Sequence, residues 1–518
     1  MRKPINHITF VLLMFFVSIS VSACKSKPDK VENALSQAGA NRGELEMVIN
    51  HYQKSGEKQK LKAAYYLIAN LPGQYYFSGK GVYKCRTIFH KLDSLSKINE
   101  IEYTRVWDSL QLQIDTANLT GITKVKDIEV IKGKYLIDNI ESAFRAWKNP
   151  WAKSLSFEEF CRYILPYKMR NEQPGNWRTH FEKKYKGLKN SLIDTNSRLE
   201  ACIHVNQDLK SWFYFTKLNV PFDLSPEDLL LTRSGKCPQQ VQMAAYAMRA
   251  LGIPVTMDGV PYWPNRNSRH DWNALIDGTK PIAFLGAEIN PTVYKLEFPS
   301  PGTHASKRAK IFRASYEMNS DLEANSNIAE LPALFKERYQ DVTADYLPVT
   351  SLDISLSGKY SGLGYRSLFL SVFNNRKWKP LDYSPIDGQT ATFKDLGNNN
   401  IVYLPVFFDE NEIITAGLPF ILSQTGEIRK IQPSNKDKVS FNIDRKYPSG
   451  ADNEIVPGQN YELYYWNDSW KLHSRTIATS KILTFVNVPK GALFWLKNLD
   501  KGYQERIFTV DKNKISWW

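Results

Sequence analysis

The chain has 518 residues, with 68 Lys and Arg against 53 Asp and Glu, for a formal charge of +15. The basic residues are scattered, with no basic block and no nucleic-acid-binding signature, so they read as a solvated surface and nucleic acid is not expected as a partner. The length is too great for one hydrophobic core and suggests about three or four domains.

In chain order, the first expected element is an export signal over residues 1–23. Arg2 and Lys3 supply its positive start, and residues 8–21 are almost wholly apolar yet too short to span a bilayer comfortably. They run into Val21-Ser22-Ala23-Cys24, which resembles the lipobox of bacterial lipoproteins. That resemblance implies that Cys24 becomes the lipidated first residue of a cell-envelope protein. The absence of Asp directly after Cys24 favours the outer membrane, and Lys25 to Lys30 then form a polar tether. No later run is long and apolar enough for a second span.

Residues 24–168 carry a helical pattern. Leu61 to Leu71 is dense in helix formers and ends at Pro72-Gly73. Phe144, Trp147 and Trp151 form an aromatic patch that reads as core. Residues 170–301 mix helix with strand and hold the chemistry, and residues 302–348 read as a charged helical connector. From Val349 the texture turns to short apolar alternations such as Leu368 to Phe373 and Ile401 to Phe408, separated by Asn-, Gly- and Asp-rich turns. Two β-sandwich-like modules are expected, 349–434 and 435–518, meeting near Gln432 to Asn435. Exposed aromatics there (Trp378, Tyr383, Tyr464, Tyr465, Trp466, Trp470, Trp495, Trp517, Trp518) could stack on sugar rings, and glycan contact stays open; strand packing is the favoured account. The fold class is multidomain α+β.

Of the five cysteines, lipid takes Cys24. Cys85, Cys161, Cys202 and Cys237 are widely spaced, with no metal-ligand pattern and no disulfide framework. A catalytic Cys237 has to stay unpaired, which leaves at least one further thiol free and buried. No cofactor or metal is called for.

The informative segment contains Gly235-Lys236-Cys237-Pro238. Gly235 permits a close approach, Cys237 opens a helix and Pro238 suits its first turn. Val241, Ala244, Ala245, Met248 and Leu251 give that helix an apolar face, Gly252 ends it, and a strand starts at Pro254-Val255. A thiol at a helix N-terminus meets the positive end of the dipole, which lowers its pKa. His270 opens a second strand running to Ile276, Asp277-Gly278 signals a hairpin, and Pro281 to Ile289 returns.

Gly235-x-Cys237, then Arg249-Ala250-Leu251-Gly252-Ile253-Pro254, then His270-x-Trp272-Asn273, resemble the transglutaminase-like superfamily, over about a quarter of the chain. The resemblance implies a papain-like α+β core with Cys237 as nucleophile, His270 as base and an acid beyond it. Where the family presents Asp before Pro-Thr, this chain has Asn290-Pro291-Thr292, with Glu288 two residues earlier. A hairpin loop of three residues puts Glu288 diagonal to His270. One of five puts Glu288 opposite with Asn290 diagonal, and an even-numbered loop turns both away. Glu288 is favoured as the orienting group, with Asn290 the alternative. Asp277 is a turn residue, and Asp271 alternates away from His270.

Oxyanion donors would be the Cys237 N–H with Gln239, Gln240 or Trp212. The loop from Pro261 to Arg269 is expected to wall the cleft, with Tyr262 and Trp263 either stacking on substrate or packing. The implied chemistry is thiol-based acyl transfer at an amide. Hydrolysis is favoured over crosslinking, because nothing suggests a dedicated amine site. The substrate would be a peptide, peptidoglycan stem or glycopeptide. The rival reading is a non-catalytic glycan- or peptide-binding lipoprotein on a degenerate version of the same fold.

Overall fold

The computed structural model describes residues 28–91, 100–117, 119–217, 219–292, 306–319, 331–356, 358–409, 412–448, 451–501 and 505–518. The expected signal segment 1–23 and Cys24 lie outside them. Among the described residues no helix is long and apolar enough to cross a membrane.

The helical expectation for the N-terminal third holds. It contains α1 (Asp29–Gln37), α2 (Arg42–Ser55), α3 (Lys58–Ala69), α4 (Lys80–His90), α5 (Glu100–Thr116), α6 (Asp127–Val130) and α7 (Gly133–Trp147). A small antiparallel pair, β1 (Tyr75–Ser78) and β2 (Thr123–Lys126), is added to them. Then come α8 (Phe157–Tyr163), α9 (Trp177–Lys184), α10 (Arg198–Lys210), α11 (Pro226–Thr232) and α12 (Cys237–Ala250). The boundary near residue 169 does not divide the core. One hydrophobic cluster runs from Val31 through Leu67, Phe160 and Ala245 to Ala287 and Tyr316. Lys168, at the seam, is buried and reaches Asp127 at 2.8 Å and the Tyr75 carbonyl at 2.9 Å.

The centre of this unit is α12. The apolar spacing marked one buried face, but every residue from 240 to 250 is buried. Its polar members are satisfied internally: Gln242 donates to the Leu224 carbonyl (3.1 Å) and Arg249 Nε to the Val255 carbonyl (2.7 Å). Against α12 lies an antiparallel sheet of order β7-β6-β5-β8-β9: β5 (Val255–Val260), β6 (His270–Ile276), β7 (Pro281–Phe284), β8 (Phe312–Ala314) and β9 (Tyr339–Asp341). A two-residue parallel pair, β3 (Tyr214–Phe215) and β4 (Ser234–Gly235), leads into the helix.

The helical connector expected over 302–348 is corrected. Its described part supplies β8 and β9, which extend the core sheet past β5. Among the described residues of this segment, helix is confined to a 3-10 turn at Ala333–Lys336 and one turn at Thr343–Tyr346. The charges that suggested an exposed helix instead pair across the fold: Arg313 of β8 holds Asp258 of β5 at 2.8 Å, with both side chains almost fully buried. Without β8 the inner edge of β5 would be left unpaired.

The strand-rich end forms an eight-stranded sheet. Along it the order is β10 (Val349–Ser355), β13 (Thr390–Gly397), β12 (Lys377–Asp387), β11 (Ser367–Asn374), β14 (Ile401–Asp409), β16 (Phe420–Leu422) and β17 (Ile428–Lys430), with β15 (Glu412–Thr415) also on β14. A five-stranded sheet follows: β20 (Ser469–Ile477), β19 (Asn460–Asn467), β22 (Leu493–Asn498), β23 (Ile507–Asp511) and β24 (Lys514–Trp517). It is accompanied by the pair β18 (Lys438–Ile443) and β21 (Leu483–Pro489). Phe369, Phe373 and Trp378 of the first sheet share one cluster with Trp466, Trp495 and Ile507 of the second. The first sheet's other face buries Ala309 and packs against Tyr262 and Phe312. Lys310 is buried between Asp341 (2.6 Å) and Asp382 (3.0 Å), tying the core sheet to β12. The strand-rich end is therefore interlocked with the core, not hung beside it.

Candidate functional site

Gly235 is required by the approach to the helix. A Cβ there would lie 2.3 Å from the Gln239 Cβ. The Gln239 side-chain carbonyl accepts from the Lys236 N–H at 3.1 Å, closing the first turn, and Pro238 occupies a position where no amide hydrogen is needed. Cys237 is thus the first helical residue, as its sequence context indicates. It is partly exposed, whereas Cys85, Cys161 and Cys202 are buried; all four are free thiols.

The thiol's surroundings differ from the expected ones. Burial and then the Asp271 carboxylate push it up to about 11, with Glu288 acting in the same sense. The Asp271 backbone N–H, which hydrogen-bonds to the sulfur, and Arg269 offset only part of this. The helix-start position alone does not make a ready thiolate.

His270 lies on the other side of β6. The register Val255↔Leu275 through Val260↔His270 sends Asp271, Asn273 and Leu275 towards α12. Asn273 Nδ2 donates to the Val241 carbonyl of α12 at 2.9 Å, and Leu275 joins the helical core. His270 and Trp272 alternate to the opposite face, where Trp263, Trp272, Val260 and Ile311 form a separate cluster. The imidazole stacks on Trp263 with ring centres 6.3 Å apart and lies the same distance from Trp272. Burial, together with Arg266 and Arg308, holds its pKa below the ordinary histidine value against the pull of Asp271. The structure therefore does not bring His270 to the Cys237 thiol.

The hairpin decides the remaining candidates. Ile276 pairs with Pro281, so the loop holds four residues, but the return strand stops at Phe284 short of the expected Ile289, and a turn over residues 286–288, closed by Leu285 and Ile289, sets where Glu288 and Asn290 lie. Gly286 closes onto α12: a Cβ there would lie 2.6 Å from the Ala244 Cβ. Ala287 takes a left-handed φ of 58°, and Glu288 comes to the thiol's side of the sheet, its carboxyl pushed up by burial. Asn290 is held by α10 instead, accepting from Asn206 Nδ2 (3.0 Å) and donating to Gln207 (3.1 Å). Of the oxyanion candidates, the Trp212 indole N–H is occupied by Asp208 (2.9 Å), and Gln240 is buried in the helix.

The residues overlooked in the sequence are Asp271, Arg269 and Arg170. Arg170 Nη1 lies 3.5 Å from Asp271 Oδ1, and Arg269 Nε lies 3.6 Å from Oδ2. They line a cleft of about 220 Å³ together with Tyr262, Phe312 and Tyr339. The only signal for Asp271 was the same alternation that removed it from His270's face. Tyr262 does line this cleft, whereas Trp263 packs, being 1% exposed.

The loop from 261 to 269 is held from behind. Asn374 Nδ2 reaches the carbonyls of Trp263 (3.0 Å), Arg266 (3.1 Å) and Ser268 (2.9 Å). Arg506, fully buried, donates to the carbonyls of Pro264, Phe373 (2.6 Å) and Trp518 (2.9 Å). The C-terminal aromatics mostly pack: Trp378, Trp466 and Trp495 are buried, Tyr464 stacks on Trp495, and Trp517 lies against Phe508. Among the described residues no cluster of His, Cys, Asp and Glu is arranged to hold a metal ion. No known protein family matches the chain, and no curated protein matches it either.

Proposed function

We propose that this chain is a lipid-anchored envelope protein whose transglutaminase-like core binds a peptide or glycopeptide without cleaving it, with two sandwich-like modules buttressing the core. The placement of Cys237 and His270 on opposite faces of β6 carries this reading. A Cys–His pair works only when the imidazole can take the thiol's proton, and here a carboxylate sits at the sulfur instead. A neutral thiol beside Asp271 and Glu288 is a poor nucleophile near neutral pH. The lipobox-like Val21-Ser22-Ala23-Cys24 supplies the anchor, with the outer membrane as the expected location.

The test is iodoacetamide labelling of Cys237 across pH in the wild type and in His270→Ala. The expected outcome is a midpoint well above the ~8.5 of an ordinary thiol, the same in both proteins, with peptide and peptidoglycan fragments left uncut. A midpoint below that value, moved upward by His270→Ala, would overturn it.

That result would favour thiol-dependent amide hydrolysis, and one observation supports this second reading. Cys237 is the first residue of α12 and the one partly exposed thiol among the described residues. In that account the imidazole leaves the Trp263 stack to reach the sulfur.

A further inference from the structure

A second cleft, of about 670 Å³, opens between the core sheet and the first strand-rich sheet, walled by β9, β12 and β13. That volume lies within the ~300–1,000 Å³ usual for whole-ligand sites. The opening comes from a parting of strands. β12 and β13 pair only beside their turn, at Ile386↔Ala391 and Asp387↔Thr390. Beyond it Lys310 fills the gap, with Nζ 2.6 Å from the Lys394 carbonyl.

The charges lining the cleft largely answer one another. Lys310 lies between Asp341 and Asp382, and Arg162 is 3.4 Å from Glu317. Lys394 and Asp395 remain, one of each sign. The whole set is within one charge of neutral, too little to select an anion or a cation. The strand edges are also spoken for. Tyr383 N–H donates to Asp382 Oδ1 at 2.9 Å. Pro385 has no N–H, and its carbonyl accepts from Ser384 Oγ at 3.2 Å. An incoming peptide strand finds little main chain to pair with on β12.

Two planar polar side chains are left over. Among the described residues, the Gln340 amide and the Asp395 carboxylate make no side-chain hydrogen bond or ion pair. Asp395 is placed by a bulge: Lys394 and Asp395 together oppose Ser351, and Asp395 takes a left-handed φ of 51°. Bulges of this kind re-aim a side chain, at a cost in backbone strain. Tyr339 and Tyr383 add partly exposed rings from the two sheets.

We infer that this cleft binds a short neutral oligosaccharide, at a site separate from Cys237 and independent of whether that side cleaves or only binds. Gln340 and Asp395 each hold sugar hydroxyls, and the C–H face of a pyranose ring lies on a tyrosine. The site needs both sheets, because Gln340 belongs to the core and Asp395 to the strand-rich end.

The full chain, in a detergent without a sugar headgroup, is titrated calorimetrically with maltotetraose, cellotetraose, mannotetraose, xylotetraose and chitotetraose. At least one is expected to bind. Asp395→Gly keeps the left-handed backbone and removes the carboxylate, and Gln340→Ala changes an exposed position. Each should weaken binding about tenfold while melting with the wild type. No binding by any of these sugars, or affinity indifferent to both substitutions, would overturn the assignment. Displacement of the sugar by an N-acetylated tripeptide amide, by spermidine or by phosphate would overturn it too, making the cleft a peptide or ion site.

Discussion

The Cys237 sulfur accepts a hydrogen bond from the backbone N–H of Asp271, one residue along β6 from the imidazole that its motif pairs with it. That single step in register replaces a base with a carboxylate. Burial first, and that carboxylate second, hold the thiol up at about 11 despite its place at a helix N-terminus.

Replacing Asp271 by Asn tests this directly. The backbone N–H stays, the negative charge goes, and the Cys237 labelling midpoint is expected to fall from about 11, because only burial and Glu288 then oppose the thiolate. Iodoacetamide labelling rates across pH measure it. A midpoint that stays or rises would remove the carboxylate from the explanation.

Arg506 and Asn374 lock the loop in front of His270. Arg506→Ala leaves the carbonyls of Pro264, Phe373 and Trp518 without this donor and is expected to cost about 2–4 kcal/mol. Amide hydrogen exchange should quicken in residues 261–269 more than in α12. Asn374→Ala should show the same local pattern with a smaller loss. Uniform exchange throughout the chain would mean that the clamp has no local role.

Asp382 gives a pH dependence of stability. Burial raises its carboxyl from 3.8 to about 6, with Lys310 opposing the shift and Asp341 adding to it. The folded state therefore binds the proton more tightly than the unfolded one. Its stabilising contribution is present below 3.8 and is lost as pH rises through about 6. Relative to Asp382→Asn, wild-type unfolding free energy should decline between about pH 4 and 7 by on the order of 2 kcal/mol, read from urea titrations. Parallel pH profiles for the two proteins would contradict this.

The change of texture near Val349 suggests a separable strand-rich unit, but the contacts say otherwise. Gly397 donates to the Ala309 carbonyl at 2.9 Å, and a Cβ at Gly397 would lie 2.0 Å from the Arg308 carbonyl. A fragment of residues 349–518 also loses Lys310 from beside Asp382 and Phe335 from the cluster around Phe369. It is expected to melt well below the intact chain and to bind hydrophobic dyes. A fragment as stable as the strand-rich part of the intact protein would show that these contacts are dispensable.

Features that depend on a few neighbouring residues were legible in the sequence. Gly235, Cys237 and Pro238 mark a helix start, Gly252 and Pro254 an exit into strand, and Asp277-Gly278 a hairpin, because caps, breakers and turns act over one or two turns of chain. The alternation along β6 was legible too, and with it the separation of Asp271 from His270. Which of the two faces α12 was not. That depends on how Val255–Val260 registers with His270–Ile276 and on how the sheet packs against the helix, and a shift of one residue would reverse every side chain. The turn past Phe284 that carries Glu288 to the thiol's side is set in the same way. So are the strands at Phe312–Ala314 and Tyr339–Asp341, whose charged sequence resembles an exposed helix until Asp258 and Asp382 are there to pair with it. Local preference selected the elements; burial of one shared core, with every buried charge needing a partner from a distant segment, selected their faces and neighbours.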